Sequence, residues 1–227
     1  MAEHDRTTEF IFFHLDSTIQ PEDPNNQKGQ EVLKILHGVK SHDACEWAGW
    51  GRTEENPNAL ILVLEWSHRS VNLSTNSLQA LAKAEPPIIR LKTRLERPLS
   101  SVGGLLASPC VDVTTLPFVG SSTLEDRIKD LKAVSRMRQC VTQEVLPEVR
   151  PDYYILSTAG SFAELDSDKS PTGRVEICMA VVGWRSRQQH YDMWKEQSFK
   201  DMIPDLRERM SPYPPGLGIT HTAFQLL

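Results

Sequence analysis

No apolar stretch in this chain approaches the roughly 20 residues that a membrane-spanning helix requires, so no membrane insertion is expected. The short apolar run Phe10–Phe13 is broken by His14 and Asp16 and cannot serve as a signal-peptide core; a cytoplasmic protein is the expectation. Cysteine is scarce: Cys45, Cys110, Cys140 and Cys178 lie far apart, with no CxxC pair to build a structural zinc site, and read as buried thiols. There is no basic excess either. Lys and Arg total 25 against 30 Asp and Glu, a net charge of −5, which argues against a nucleic-acid partner. The chain lacks GxGxxG, Walker A, GxSxG, HExxH and HxH patterns. Nicotinamide, nucleotide triphosphate and serine-hydrolase chemistry therefore lose support, and neither a cofactor nor a metal is expected. Gly103-Gly104 and Gly216-Leu217-Gly218 read as bends.

What the chain does contain is a pattern that occurs twice. Ala59–Trp66 (ALILVLEW) is an apolar run closing in Trp before a polar, helix-starting segment; Val175–Trp184 (VEICMAVVGW) is another, about half a chain later. Arg69 and Arg187 stand at the same offset from their tryptophans. Each half is of a length to make one supersecondary unit, and two units can close around a shared core.

The first half reads as a strand over 8–16, a helix from Asn25 or Asn26 to Val39, strands over 45–52 and 59–66, a helix over about 70–84 ended by Pro86-Pro87, and a strand over 88–96. Glu54-Glu55-Asn56-Pro57-Asn58 is a turn. The second half reads as a strand over 110–118 and a helix capped by Ser122 with Glu125, whose stripe runs Leu124, Ile128, Leu131, Val134, Met137, Val141, Val145. Strands follow over 152–160 and 175–184 with a polar loop at 166–173. A helix capped by Ser186 and carrying His190, Tyr191, Trp194 and Phe199 leads to a last strand over 218–226. The order is β-α-β-β-α-β twice, an α+β class. The expected units are 1–97 and 110–227, joined by a linker at 98–109. Each sheet would carry helices on one face and leave an apolar face to cover, so two sheets packing into one closed barrel is the leading arrangement. Two independent ferredoxin-like domains are the alternative.

This paired order, with EWSHRS at 65–70 and GWRSRQ at 183–188, resembles the dimeric α+β barrel superfamily, including the antibiotic-biosynthesis monooxygenase-like and EthD-like proteins, here as a fused tandem repeat. The resemblance covers nearly the whole chain, and no sequence-exact functional motif carries over. It implies a fold that hosts cofactor-free oxygenases, haem-degrading enzymes, lyases, isomerases and cyclases, some fungal members acting in natural-product pathways; a shared fold does not fix function.

Candidate catalytic residues are side chains that move protons near neutral pH and sit in or beside apolar elements. His14 is the first choice of base, on a strand face shared with Phe10, Phe12 and Asp16, and Asp16 is itself a catalytic candidate. His190 or His221 is its acid or orienting partner, and His68 near a helix start is a further candidate. Pocket-lining candidates are Phe10, Phe12, Trp50, Tyr153, Tyr191 and Trp194. The pocket is expected between the sheets or between a sheet and its helices. The function expected is an isomerase, cyclase or lyase acting on a hydrophobic polyketide- or terpenoid-like substrate without an organic cofactor, in a monomer or homodimer. The alternatives are a cofactor-free monooxygenase on a phenol or enol and a non-enzymatic ligand carrier. A haem held by His14, His68, His190 or His221 is a weaker one.

Overall fold

A computed structural model describes residues 6–68, 71, 76–105, 107–120, 123–158 and 161–227. Arg69, Ser70 and Ser122, which the sequence singles out, lie outside the described residues. The first half comprises β1 (Thr7–His14), α1 (Gln27–Lys40), β2 (Cys45–Arg52), β3 (Ala59–Trp66), a short α2 (Asn76–Gln79) and β4 (Ile89–Thr93). The second comprises β5 (Cys110–Val119), α3 (Leu124–Gln139), β6 (Tyr153–Leu156), β7 (Ala163–Asp166), β8 (Arg174–Trp184), α4 (Arg187–Met193), α5 (Gln197–Arg209), β9 (Ile219–Thr222) and β10 (Gln225–Leu226).

The strands form two antiparallel sheets, β10-β2-β3-β1-β4 and β6-β8-β5-β9, with β7 pairing the remaining length of β8. Bridges at Leu95–Ser157 and Thr53–Thr222 join the sheets at both edges. The Thr93 hydroxyl donates to Ser157 Oγ across the first seam at 2.9 Å. The chain's end crosses the second seam, β9 in one sheet and β10 in the other. Closure removes the exposed strand edges that two free-standing sheets would present, and the molecule is one α+β barrel.

Strand alternation then fixes what lies inside. Phe10, Phe12, Ile61 and Val63 point inward from the first sheet and meet Val113, Ile177, Met179 and Val181 from the second, all buried. Among the described residues these side chains form one buried apolar cluster between the sheets, and a large cavity lies in the other expected location, between a sheet and its helices. At the barrel's end Tyr153 packs over Gly104 (φ +92°), where a side chain would collide with its ring.

Local chemistry explains most elements. Asn26 caps α1 by accepting from Gly29 N, and Ser186 caps α4 by accepting from Gln189 N. Four expectations change. The cap of α3 is Thr123, which accepts from Asp126 N. The stripe of α3 is buried only from Val134 onward; Leu124 is 75% and Ile128 45% exposed. The helix expected to about residue 84 ends at Gln79, because Ala82 bridges Leu15 and Lys83 N donates to His14 O, drawing that segment against β1. The helix after Ser186 is two helices, separated at 194–196 by tighter three-residue hydrogen bonds. The strand β7 forms just before the expected polar loop. Among the described residues no helix is long and apolar enough to cross a membrane.

All four thiols are buried. Burial raises the pKa of each, that of Cys110 to about 12, so thiolate is scarce. A thiol-disulfide reagent at pH 8 is expected to label none within minutes in the native protein and all four after denaturation. One fast-reacting native thiol would contradict this burial.

Candidate active site

Outside the barrel the two halves differ. Over the first sheet, Phe13, Trp50, Leu62, Leu64 and Trp66 fill the space beneath α1 and α2. Over the second sheet a cavity of about 770 Å³ remains, within the range of small-molecule sites. Strand register explains the difference. Trp66 pairs with Thr7 and Trp184 with Cys110. Counting back from these tryptophans, Ala180 and Val182 occupy the places that Leu62 and Leu64 hold in the first sheet. The smaller side chains leave the floor low. Apolar side chains from the helices, among them Met137, Met193, Trp194 and Phe199, form the opposite wall.

The mainly apolar lining also includes Lys200, Arg207, Ser211 and Tyr213, with Asp112 from the sheet and His190 from α4. Asp112 on β5 and His221 on β9 are register partners, and His190 on α4 reaches them from above. His190 Nδ1 and His221 Nε2 are 2.7 Å apart, a hydrogen bond, and His190 Nδ1 is 3.5 Å from Asp112 Oδ2. All three residues are at most 3% exposed. The Thr114 hydroxyl donates to Asp112 Oδ1 at 2.6 Å. The ring of His190 stacks on Trp184 (4.5 Å, 9°) and meets the edge of Trp194 (4.8 Å, 74°), which fixes its plane.

The first half completes the cluster. Glu55, in the turn after β2, accepts from His221 twice: its Oε1 is 2.6 Å from the ring Nδ1 and its Oε2 2.9 Å from the backbone N. Glu54 N donates to His221 O, which docks the turn on β9. Arg187 at the start of α4 lies 3.4 Å from both Glu54 and Glu55, and its Nε donates to the Tyr191 hydroxyl. A chain of contacts thus runs from Arg187 through Glu55 and His221 to His190 and the cavity.

These environments set the charges. Burial, with Glu55 adding repulsion, lifts Asp112 from 3.8 to about 7 against the Thr114 hydrogen bond. Burial, then the neighbouring His221, lowers His190 to about 3, so its imidazole is neutral at pH 7. Burial alone would raise Glu55, but the His221 hydrogen bonds outweigh it and hold the carboxyl below its ordinary value. With Glu55 ionised, His221 Nδ1 donates to it. With both rings neutral, His190 Nδ1 then donates to His221 Nε2 and its Nε2 presents a lone pair; when one further proton enters the pair, His221 donates from Nε2 instead and His190 Nε2 carries an N–H.

The structure brings together His190, His221, Tyr191 and Trp194 from the sequence candidates. Tyr191 packs against His190, Trp194 and His221. The other candidates lie elsewhere. His14 ends β1 opposite Ala59, on the first sheet and not among the residues that line the 770 Å³ cavity; burial and then Lys83 lower its pKa. Asp16 is an exposed turn residue accepting from Thr18 N and Oγ1. His68 is exposed after β3. Phe10, Phe12 and Tyr153 belong to the barrel interior, and Trp50 packs under α1. Asp112, Thr114, Glu55 and the ion-pairing role of Arg187 were not anticipated. The one available signal for Asp112 was a lone carboxylate in the apolar run VDVTTLPFV. Glu55 in a surface turn gave none, since its role depends on a strand 166 residues away.

No protein-family model matches the chain, and no curated protein matches it. Solved structures do. An anthrone oxidase-like protein superposes with TM-score 0.60 at 11% identity, over 99% of this chain and 92% of that one. A candidate monooxygenase from Lactobacillus acidophilus NCFM gives 0.51 at 10% identity over 98% and 96%. A chlorite dismutase variant from Candidatus Nitrospira defluvii gives 0.51 at 10% identity over 97% and 92%. At these identities the likeness is one of fold: a dimeric α+β barrel of ferredoxin-like halves, related in architecture to monooxygenase-like and chlorite dismutase-like proteins.

Proposed function

We propose that this chain is a small-molecule enzyme that moves a proton on an apolar substrate held over the second sheet, without an organic cofactor. The reaction is an isomerisation, cyclisation or lyase step on a polyketide- or terpenoid-like compound of natural-product biosynthesis. The single observation that supports this reading is the juxtaposition, in the wall of a large and mainly apolar cavity, of the Asp112 carboxyl group and the His190 imidazole, which His221 hydrogen-bonds from behind. Asp112, poised near neutrality, takes a proton from carbon next to a carbonyl and can return it elsewhere. His190, kept neutral, donates from Nε2 to the developing enolate oxygen, and Glu55 through His221 holds the ring in that orientation.

A second reading is favoured by the likeness to the anthrone oxidase-like protein. A cofactor-free monooxygenase begins with the same deprotonation, then lets molecular oxygen react with the carbanion. For anthrone the balanced outcome is anthraquinone plus one water, with O2 as the oxidant.

Anthrone and other enolisable polycyclic ketones, incubated with the protein in D2O without oxygen, are expected to gain deuterium at the carbon next to the carbonyl or its vinylogue faster than in buffer. Mass spectrometry reads the gain. Oxygen uptake in air, with anthraquinone formed mole for mole, would move the assignment to the second reading. Quenching of tryptophan fluorescence by these ketones with no exchange under either atmosphere is the behaviour of a carrier and would overturn both.

A further inference from the structure

Strand register also matches Asp112 with a residue of the first half. Counted from Thr7 and Cys110, the partners of the closing tryptophans, Glu9 occupies on β1 the place of Asp112 on β5. Glu9 is fully buried, like Asp112, but it is neutralised. Arg90 Nε and Nη2 donate to it at 2.8 and 2.6 Å, Trp66 Nε1 donates at 2.8 Å, and Lys92 lies 3.9 Å away. The second half has lost each partner. Lys92 faces Glu9 across the strand pair, and the residue facing Asp112 is His221. The position matching Arg90 is Ile219, opposite Thr114 as Arg90 is opposite Ile11. Trp184 Nε1, which matches the Trp66 donor, is buried without a partner. A buried carboxylate stripped of its cations is costly unless something positive takes their place.

The replacements are metal ligands. We infer that Asp112, His190 and His221 form a binding site for one divalent first-row transition-metal ion, in the space that cationic side chains fill in the first half. One donor atom from each lies within 4.8 Å of the others, and all three residues are buried. Two imidazoles and one carboxylate suit such ions far better than Mg2+ or Ca2+, which favour oxygen ligands. The outer partners are those a metal site uses to orient its ligands: Glu55 accepts from His221 Nδ1, leaving Nε2 for the ion, and Thr114 holds Asp112 Oδ1, leaving Oδ2. His190 ligates through Nδ1 with its proton on Nε2. The His190–His221 separation must open from 2.7 Å to about 3.3 Å to accommodate bonds of about 2.0–2.1 Å. The spacing of 112, 190 and 221 forms no linear motif; only the register of β5 with β9 and the fall of α4 bring them together.

This inference shares side chains with the proposed function and does not depend on it. A bound ion would supply Lewis-acid stabilisation of a substrate oxygen, but the site is defined without turnover. The test titrates the chelator-stripped full-length chain with Co2+, read by visible d–d absorption, and with Zn2+ by calorimetry. One equivalent is expected to bind with micromolar or tighter affinity. His221→Ala and Asp112→Asn should each weaken binding by about 100-fold, and Glu55→Gln by about 10-fold, as outer-sphere changes do. Zn2+ should raise the melting temperature of the wild type and of no Asp112 or His221 variant, which separates a lost site from a lost fold. No saturable binding, or affinity unchanged in these variants, would overturn the site. Co2+ binding without deuterium exchange retains the site and removes the proton-transfer reading; exchange unaffected by chelation, without binding, does the reverse.

Discussion

Asp112→Asn is expected to slow deuterium exchange into a bound enolisable ketone by about 10²–10⁴-fold, the usual worth of a positioned general base, with ketone binding retained. His14→Ala should stay within about twofold of wild type, because His14 lies on the half without the large cavity. Stability should move the opposite way. The carboxyl of Asp112 has a folded pKa of about 7 against an ordinary value of 3.8. A raised value means that the folded protein holds the proton more tightly than the unfolded chain. The associated stability is complete below the unfolded pKa and is lost as the pH rises through about 7. At about 1.36 kcal/mol per pKa unit, wild type at pH 8 forfeits roughly 4 kcal/mol. Asparagine fills the same volume and has no charge to bury. In chelator at pH 8 the variant should therefore melt higher than wild type, with the gap closing toward pH 4. A carboxylate that served only the fold would lose activity and stability together. Slow exchange in a protein that melts higher is the signature of a group kept for its chemistry.

How much of this was visible in the chain depends on the distance over which each feature is determined. Strands with period-two or unbroken apolar patterns, such as 59–66 and 175–184, and caps such as Asn26 and Ser186 are set by neighbouring residues, and they emerge where the pattern places them. The paired β-α-β-β-α-β order, and with it the barrel, follows from those elements. The site does not. His190 and His221 were visible as polar residues in apolar surroundings, but His14 and His68 give the same local signal and differ only in where the fold takes them. Asp112 becomes meaningful when register sets it beside His221 and across from the position Glu9 holds in the first half. Glu55 acquires its role from a turn docking on β9, far along the chain. The cavity itself depends on Ala180 and Val182 standing where Leu62 and Leu64 stand in the first half, a difference of a few methyl groups that composition cannot register.

Phe10→Ala is expected to cost about 3–5 kcal/mol, the range for deleting a buried aromatic ring with little collapse around it, measured by chemical denaturation. Phe10 is wholly buried, with Val63 on one flank and Leu91 on the other, all directed into the barrel. Both sheets are locked by seams at their edges, so the interior cannot close over the missing ring. The same variant should leave uptake of an apolar fluorescent probe such as anilinonaphthalene sulfonate unchanged in the folded protein, because Phe10 faces away from the cavity. Ala180→Leu is the reciprocal case. It restores the side chain of the first half at the cavity floor, has empty volume to enter, and should cost less than about 1.5 kcal/mol, as volume-tolerant apolar exchanges do, while sharply weakening probe uptake. If Phe10→Ala instead weakened probe uptake at small cost to stability, the barrel interior would be the ligand chamber and the assignment of the outer cavity would fail. The two substitutions set the faces of the second sheet against each other: the inner one holds the molecule together, and the outer one has given up packing for space.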